Sequence, residues 1–545
     1  MMLKQRLALL LALALLISGC AGSRKQGMAE APAPSQQMTP GAESKPAPTS
    51  SPVPERSTAS SGTSAADSAV ANSTGATRKP ASPQGATAPP AWNQPAPPPA
   101  DMYFNDAGEN PLINTAKRPV STFSVDVDTA SFTLARSYLS RGMLPPPEAI
   151  RAEEFINYFP QGYPRSREDL AVYIEGAPHP FHHGTHLIEI GLQARTIEKA
   201  ERKPAVLTFV VDVSGSMDME NRLGLVKRSL GLLLDQLEAD DRVALVVYAS
   251  EAKVVLEHTA DKERIRRALD SLKPGGSTYA EEGIRLGYSL AYRNYQEGAI
   301  NRVILCSDGV ANVGKTGPDE ILRQIEDYRQ KGITLTTVGF GMGNFNDALM
   351  ERLADKGDGQ YAYVDELDEA RRVFAAQLTG TLQVVAKDTK VQVYFDPEQV
   401  ASYRLVGYEN RVMANQDFRN DRADAGEMGS GQSVTALYEV TLTGRGSLLG
   451  SVSIRYKDPE SGEVTEKAVD IRRTAVFKTP SAHLLWTASV AEFAGILAQS
   501  PWALESRIAD VRTAARRAAA DLGMPESHLP LLEMIDQARE LGAGR

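Results

Sequence analysis

A chain of 545 residues is long enough for two or three domains. Its net charge of −9 is modest for that length and argues against non-specific binding to nucleic acid. Only two cysteines occur, Cys20 and Cys306, so no disulfide framework is expected. Cys306 lies in the apolar run RVILCSD, where a cysteine is expected to pack as a small buried hydrophobe.

Residues 1–19 are typical of a signal peptide. Lys4 and Arg6 precede the apolar run LALLLALALLI, which is too short to span a bilayer. The run leads into the sequence ISGC, which ends at Cys20 and resembles the bacterial lipobox. That resemblance implies cleavage before Cys20 and lipid on its thiol and new amino group; an ordinary secretory signal with an incidental cysteine is the alternative. Because Ala21 follows rather than an aspartate, the sorting rule for such lipoproteins implies the outer membrane.

Residues 20–108 are predicted to be a disordered tether that begins with the lipidated Cys20. The segment consists largely of Ala, Pro, Ser, Thr, Gly and Gln, and it holds almost no large apolar side chains. Such a composition cannot bury enough surface to offset the entropy of the chain. As a flexible coil it would span roughly 50 Å, so its expected role is reach.

Residues 109–185 are predicted to form an α+β segment. A strand is expected over residues 120–127, followed by helices in TASFTLARSYLSRG and PEAIRAEEFINYF. Asp126 and Asp128 in DVDTAS superficially repeat the start of a metal-binding motif. The favoured interpretation is a strand end followed by a helix N-cap, because aspartate is common at both places.

Residues 186–382 alternate between short apolar runs and segments of helical spacing. This alternation predicts an α/β domain with a doubly wound, mostly parallel sheet covered by helices, and VVYASEAKVVLEH predicts one antiparallel strand at an edge. The first strand is not followed by G-x-G-x-x-G or a Walker lysine, so a nucleotide site is not supported. The predicted strands are residues 206–211, 242–249, 302–306, 333–340 and 360–364.

Residues 383–545 change pattern. Five runs alternate as in an antiparallel sheet, and a helical region follows from about Ser481. The five runs are TKVQVYFDP, YRLVGYEN, SVTALYEVTLTG, LLGSVSIRYKD and TEKAVDIRR.

Oxygen-bearing side chains follow two of the predicted buried strands. Asp212, Ser214 and Ser216 alternate after the first strand, and Asp308 ends a later one. Thr278 lies in the glycine loop KPGGSTYA, just before a helix. Ligands of doubly wound sheets bind at the carboxyl ends of the strands, and a set of hard oxygen donors suits Mg²⁺, Mn²⁺ or Ca²⁺. The alternative is that these residues are caps and turn residues.

DVSGSM, the glycine-flanked Thr278 and SDG closely resemble the metal ion-dependent adhesion site (MIDAS) of von Willebrand factor type A (VWA) domains. The resemblance implies that the five metal-site positions are Asp212, Ser214, Ser216, Thr278 and Asp308. The segments that begin STFSVDVDTASF and YRLVGYENR look like those that flank the VWA domain in a bacterial lipoprotein family. Members of that family have an N-terminal von Willebrand-type region and a C-terminal domain of unknown function.

HPFHHGTH places His179, His182, His183 and His186 within one short segment. Tetrahedral zinc would need several of them around one centre, with further ligands from elsewhere in the chain. A loop with incidental surface histidines is the favoured interpretation.

The function expected from these features is that of a lipid-anchored protein of the outer membrane, facing the periplasm or the exterior. Its VWA domain is expected to bind a protein ligand that offers a Glu or Asp carboxylate to the metal. No enzyme activity is expected, because none of the seven histidines falls in the motif loops and no nucleophile–base pair is present. The alternatives are a scaffold whose C-terminal domain makes the contacts, and a metal-dependent hydrolase that uses Asp212 or Asp308 as its base.

Overall fold

The computed structural model describes residues 102–309, 318–343, 345–377 and 382–544. The predicted signal peptide, Cys20 and the predicted tether up to residue 101 lie outside the described residues. Within the described ranges, no helix combines the length and the apolar character that crossing a bilayer requires.

Segments from both ends of the described chain build two antiparallel sheets that share one hydrophobic core. In the first sheet the order is β1–β12–β14–β4–β3, and in the second it is β13–β11–β15–β16, with β2 paired to β11. The antiparallel strands predicted after residue 383 are confirmed. The strands of the two sheets are β1 (Ile113–Asn114), β2 (Val120–Ser124), β3 (Leu170–Pro178), β4 (His186–Ala194), β11 (Val384–Phe395), β12 (Val400–Val406), β13 (Met428–Gly429), β14 (Ser433–Leu442), β15 (Leu448–Lys457) and β16 (Val464–Arg472).

The VWA domain contains a six-stranded sheet of order β10–β9–β8–β5–β6–β7, which is parallel except for the edge strand β7. Every residue of the central strand β5 is buried, because helices cover both faces of the sheet. The predicted doubly wound fold and its antiparallel edge strand are therefore confirmed. The six strands are β5 (Ala205–Asp212), β6 (Arg242–Tyr248), β7 (Ala252–Thr259), β8 (Ile300–Ser307), β9 (Ile333–Phe340) and β10 (Tyr361–Val364).

The two faces of this sheet have separate cores. Phe209 and Val211 of β5 pack on one side with Leu230, whereas Val210 packs on the other with Ile284. A π-helical stretch, Arg371–Gln377, follows the last helix of the domain. The helices are α3 (Arg222–Gln236), α4 (Lys262–Asp270), α5 (Ala280–Arg293), α6 (Pro318–Arg329), α7 (Asp347–Lys356) and α8 (Leu367–Ala370).

A helical layer joins the N-terminal segment to the end of the chain. Phe132 and Phe155 from the N-terminal helices share a core with Trp486 and Phe493. The helix that carries Trp486 is apolar on most sides because it is enclosed by its neighbours. The five helices are α1 (Ala130–Ser140), α2 (Ala152–Tyr158), α9 (Ala482–Leu497), α10 (Ile508–Asp521) and α11 (Leu529–Glu540).

The strand pairing corrects the predicted domain boundaries. The predicted VWA domain starts at residue 186, but His186–Ala194 forms strand β4, which pairs with β3 and β14, so the sheet of that domain begins at Ala205. The segments 109–185 and 383–545 form one unit with common sheets, into which the VWA domain is inserted. Apolar alternation predicts a strand but does not identify the strand that pairs with it. The sequence analysis therefore treated the segments 109–185 and 383–545 as separate regions.

Arg411 connects three parts of the chain. Its guanidinium donates to Asp126 at 2.9 Å and to Asp355 of α7 at 2.8 Å, and it lies 3.4 Å from Asp128 and 3.7 Å from Glu351. The predicted cap role of Asp126 and Asp128 is wrong, because no side chain caps α1 and both carboxylates face Arg411.

Candidate metal centre

Asp212 ends β5 and is fully buried. Its Oδ1 accepts the Ser214 N–H at 2.8 Å, and its Oδ2 accepts the Ser307 hydroxyl at 3.0 Å. Burial raises the pKa of Asp212 to about 6, although the hydrogen bond from Ser214 acts to lower it. Hydrogen bonds therefore hold both oxygens of this carboxylate in place.

Ser214 and Ser216 direct their hydroxyls to the same point. Their Oγ atoms lie 3.0 Å apart, with Ser214 buried and Ser216 partly exposed. Two adjacent ligands of an octahedral Mg²⁺ shell at ~2.1 Å are separated by ~3.0 Å. The spacing of the two hydroxyls therefore matches the edge of a magnesium shell.

The loop that carries Thr278 is clamped onto the turn after β5. The Gly275 N–H donates to the Val213 carbonyl at 2.8 Å, and the Gly215 N–H donates to the Gly276 carbonyl at 3.0 Å. Gly276 has a φ of +88°, and a Cβ there would lie 2.7 Å from the Ser250 Oγ, so the position requires glycine. The clamp holds this loop, in which Thr278 is half-buried, against the turn that carries Ser214 and Ser216.

Asp308 follows β8 and is bound by an arginine that the sequence analysis missed. Arg222 Nη1 donates to Asp308 Oδ2 at 2.7 Å, and both side chains are 5% exposed. The other oxygen, Oδ1, accepts no hydrogen bond from the described part of the chain. The available sequence signal was that Arg222 is the first basic residue after DVSGSM.

The buried hydroxyl of Tyr248 completes this end of the sheet. Burial, followed by the charge of the neighbouring Asp212, raises its pKa well above the usual value, and a hydrogen bond with Ser307 acts in the opposite direction. The five candidate ligands, three hydroxyl-bearing residues and two carboxylates, offer oxygen atoms only, and Tyr248 adds another oxygen beside Asp212. Such a set fits a hard divalent cation and does not fit zinc or copper.

Two of the clustered histidines are not incidental surface residues. His182 Nδ1 lies 3.1 Å from Glu439 Oε1, and its Nε2 lies 3.3 Å from Glu492 Oε1. Arg404 donates to the second oxygen of Glu439 at 2.9 Å. Burial opposes protonation of His182, but the hydrogen bonds to the two glutamates prevail and raise its pKa to about 9. The prediction of incidental surface histidines is wrong for this residue.

His179 stacks on His182 with ring centroids 4.0 Å apart. Its Nδ1 accepts two backbone N–H groups, so the proton of the neutral ring is on Nε2. With His182 protonated, its charge and that of Arg404 balance Glu439 and Glu492. The cluster is therefore accounted for as a neutral ion network without a metal ion.

Comparison with known proteins assigns the chain to a family. Residues 98–189 match the family described as von Willebrand factor, and residues 207–377 match the von Willebrand factor type A domain. Residues 380–450 and 445–541 match the family described as Uncharacterized protein YfbK, C-terminal. Uncharacterized protein YfbK of Escherichia coli is 33% identical over 476 residues, which are 81% of this chain and 82% of that protein. The chain belongs to the YfbK family.

More distant relatives share part of the chain. Uncharacterized protein sll0103 of Synechocystis is 27% identical over 51% of this chain and 67% of its own length. Human inter-alpha-trypsin inhibitor heavy chain H3 is 24% identical over 44% of this chain and 29% of its own length. The solved structure of von Willebrand factor type A from Catenulispora acidiphila covers 70% of this chain and 91% of its own, with 18% identity and a TM-score of 0.41.

The VWA domain supports a role in protein–protein interaction for this YfbK-family chain. Such domains commonly bind a divalent metal at the MIDAS, and the domains found here are typically non-catalytic interaction modules.

Proposed function

We propose that this protein binds a protein ligand through a divalent cation held by Asp212, Ser214, Ser216, Thr278 and Asp308. The observation that supports this proposal best is the 3.0 Å separation of the Ser214 and Ser216 hydroxyls. At that separation the two oxygens can occupy adjacent positions around one ion.

The five residues have different roles in binding the cation. Ser214, Ser216 and Thr278 contribute neutral oxygens, whereas the carboxylates of Asp212 and Asp308 supply the negative charge. Asp212 accepts one hydrogen bond on each oxygen, from Ser214 and Ser307, so in this proposal it orients Ser214 and contacts the ion through water. A bound Mg²⁺, Mn²⁺ or Ca²⁺ supplies an open position for an anionic oxygen, most simply a Glu or Asp side chain of the partner.

The hydrolase alternative has little support from the contacts. A general base needs a free lone pair within reach of the proton that it abstracts. Hydrogen bonds hold both oxygens of Asp212 in place, Arg222 holds one oxygen of Asp308, and none of the seven histidines falls in the motif loops to act as a base. We therefore propose binding rather than catalysis.

We also propose where in the cell the protein is located. The lipobox ending at Cys20 and the tether that follows support an anchor in the outer membrane, with the folded part facing the periplasm or the exterior. Several acyl chains anchor far more stably than one.

Calorimetric titration of the purified full-length protein with Mg²⁺ and Mn²⁺ tests the proposal. Binding is expected for the parent protein and for Asp218→Ala, a matched control, because Asp218 is exposed in the same turn and is not a ligand. Thr278→Ala and Asp212→Ala are expected to lose binding with the cooperative melt retained. Undetectable binding by the parent at millimolar metal, or equal binding by Thr278→Ala, would refute the metal centre.

A crosslinking pull-down from cell envelopes then tests the ligand. The parent is expected to capture a partner in Mg²⁺ and to lose it with chelator, and Asp212→Ala is expected to capture none. A partner that the variant holds equally well in chelator would favour the scaffold alternative.

A further inference from the structure

Arg222 is in direct contact with one of the proposed metal ligands. It is the first residue of α3, it is 4% exposed, and its Nη1 holds Asp308 Oδ2 at 2.7 Å. Its Nη2 donates to the carbonyl of Met342, in the loop after β9. The guanidinium is thus held between the metal-site carboxylate and a backbone carbonyl of another loop.

The loop after β9 is shaped to admit this side chain. Gly341 and Gly343 have φ values of +77° and +139°, a region that favours glycine. A Cβ at Gly341 would overlap the Arg222 side chain. The surroundings therefore hold the Arg222 side chain in one position, whereas the arginine of an exposed ion pair would be free to move.

The charge of Arg222 changes what the site offers to an ion. Asp212 and Asp308 together carry two negative charges, which would neutralise a divalent cation. A fixed guanidinium that occupies one oxygen of Asp308 offsets one of these charges and leaves Oδ1, which accepts no hydrogen bond from the described residues, to face the ion. In a water-poor setting, such an offset has a larger effect than it has in bulk water.

We infer that Arg222 is a positioning residue of the metal centre that keeps a bound cation electrophilic enough to accept the partner's carboxylate. This inference rests on the proposed function. It implies that Arg222 weakens the binding of the cation and strengthens the binding of the anion to the loaded site. A merely structural arginine would affect both in the same direction, because its loss would disorder Asp308.

The test uses the full-length protein with Mn²⁺ as the cation and acetate as the anionic probe. Calorimetry measures the Mn²⁺ affinity, and water-proton relaxation measures displacement of Mn²⁺-bound water by acetate. The variants are Arg222→Gln, Arg222→Lys and the matched control Arg228→Gln, which changes an exposed arginine of the same helix.

Arg222→Gln is expected to bind Mn²⁺ at least tenfold more tightly and acetate at least fivefold more weakly, while Arg228→Gln matches the parent. If the parent binds Mn²⁺ and Arg222→Gln binds it equally or more weakly, the inference is wrong and the proposed function stands. If the parent binds no Mn²⁺, the proposed function fails and the inference fails with it.

Arg222→Lys covers the case in which Arg222→Gln fails to melt cooperatively. Lysine keeps the charge but lacks the planar fork that reaches both Asp308 and Met342. We expect it to bind Mn²⁺ two- to fivefold more tightly than the parent. An affinity equal to that of the parent, or weaker, would overturn the inference.

Discussion

Replacing Arg411 with methionine removes the guanidinium that Asp126 and Asp355 share. Methionine keeps the length and the apolar stem, so the change is mainly one of charge. The Arg411 side chain is 13% exposed, and breaking such a buried pair by removing one partner costs about 3–5 kcal/mol. We therefore expect Arg411→Met to reduce the free energy of unfolding by about 3–5 kcal/mol at pH 7.5.

The cost should depend on pH because the carboxylates around Arg411 can take up protons. Burial raises the pKa of Asp128 and Asp355, and raises that of Glu351 to about 8. A carboxyl group with a raised folded pKa contributes most to stability below its unfolded value, near 4.5 for Glu351, and this contribution is lost as the pH rises towards 8. At pH 5.0 protons replace part of the missing cation, so the cost should fall by about 1–2 kcal/mol.

Guanidinium unfolding followed by circular dichroism and by tryptophan fluorescence, to which the buried Trp486 contributes, measures the effect at both pH values. Arg419→Met is the control, because Arg419 is 73% exposed and its solvent-screened pair with Glu466 should contribute little to stability. A loss below 1 kcal/mol for Arg411→Met at pH 7.5, or the same loss at pH 5.0, would refute the reasoning.

Three further outcomes are expected. His182→Gln should lower the free energy of unfolding by about 1–2 kcal/mol at pH 6, because the folded pKa of His182 is raised to about 9 and solvent screens part of the gain. In urea titrations the difference between the variant and the parent should disappear as the pH rises from 6.5 to 9.5. A difference that stays constant over this range would contradict the prediction. A fragment of residues 203–377 should melt cooperatively by calorimetry, and absence of a transition while the full chain melts sharply would count against a separable VWA domain. Cys20→Ala should leave unlipidated precursor by mass spectrometry and release the protein from the outer-membrane fraction; an unchanged lipid mass would disprove the anchor.

Local patterns predicted the VWA sheet well. Strand β9 was predicted with the observed ends, because ITLTTVGF is rich in β-branched residues and lies between Gly332 and Gly341. The order of Asp212, Thr278 and Asp308 on their elements was also readable, since each follows a strand or precedes a helix. Such features depend only on residues that are close together in the sequence, so they can be read from a single sequence.

Partners that are far apart in the sequence were not predictable. Asp126 and Arg411 lie 285 positions apart, and His182 and Glu492 lie 310 apart. Each of these residues has an ordinary local context, so only the tertiary structure shows that it is buried and paired. Arg222 was missed for the same reason, because its role depends on a carboxylate at the end of another strand.

The interleaving of β4 with β14 has a consequence for how the chain is made. Thr185 and its partner Glu439 are 254 positions apart, so a ribosome completes the whole inserted domain before β4, already paired with β3, can pair with β14. Closing so long a loop is slow, whereas the inserted domain can fold as soon as it emerges. During that interval the growing polypeptide presents an open strand edge, and this is the stage at which two chains made side by side are most prone to pair wrongly.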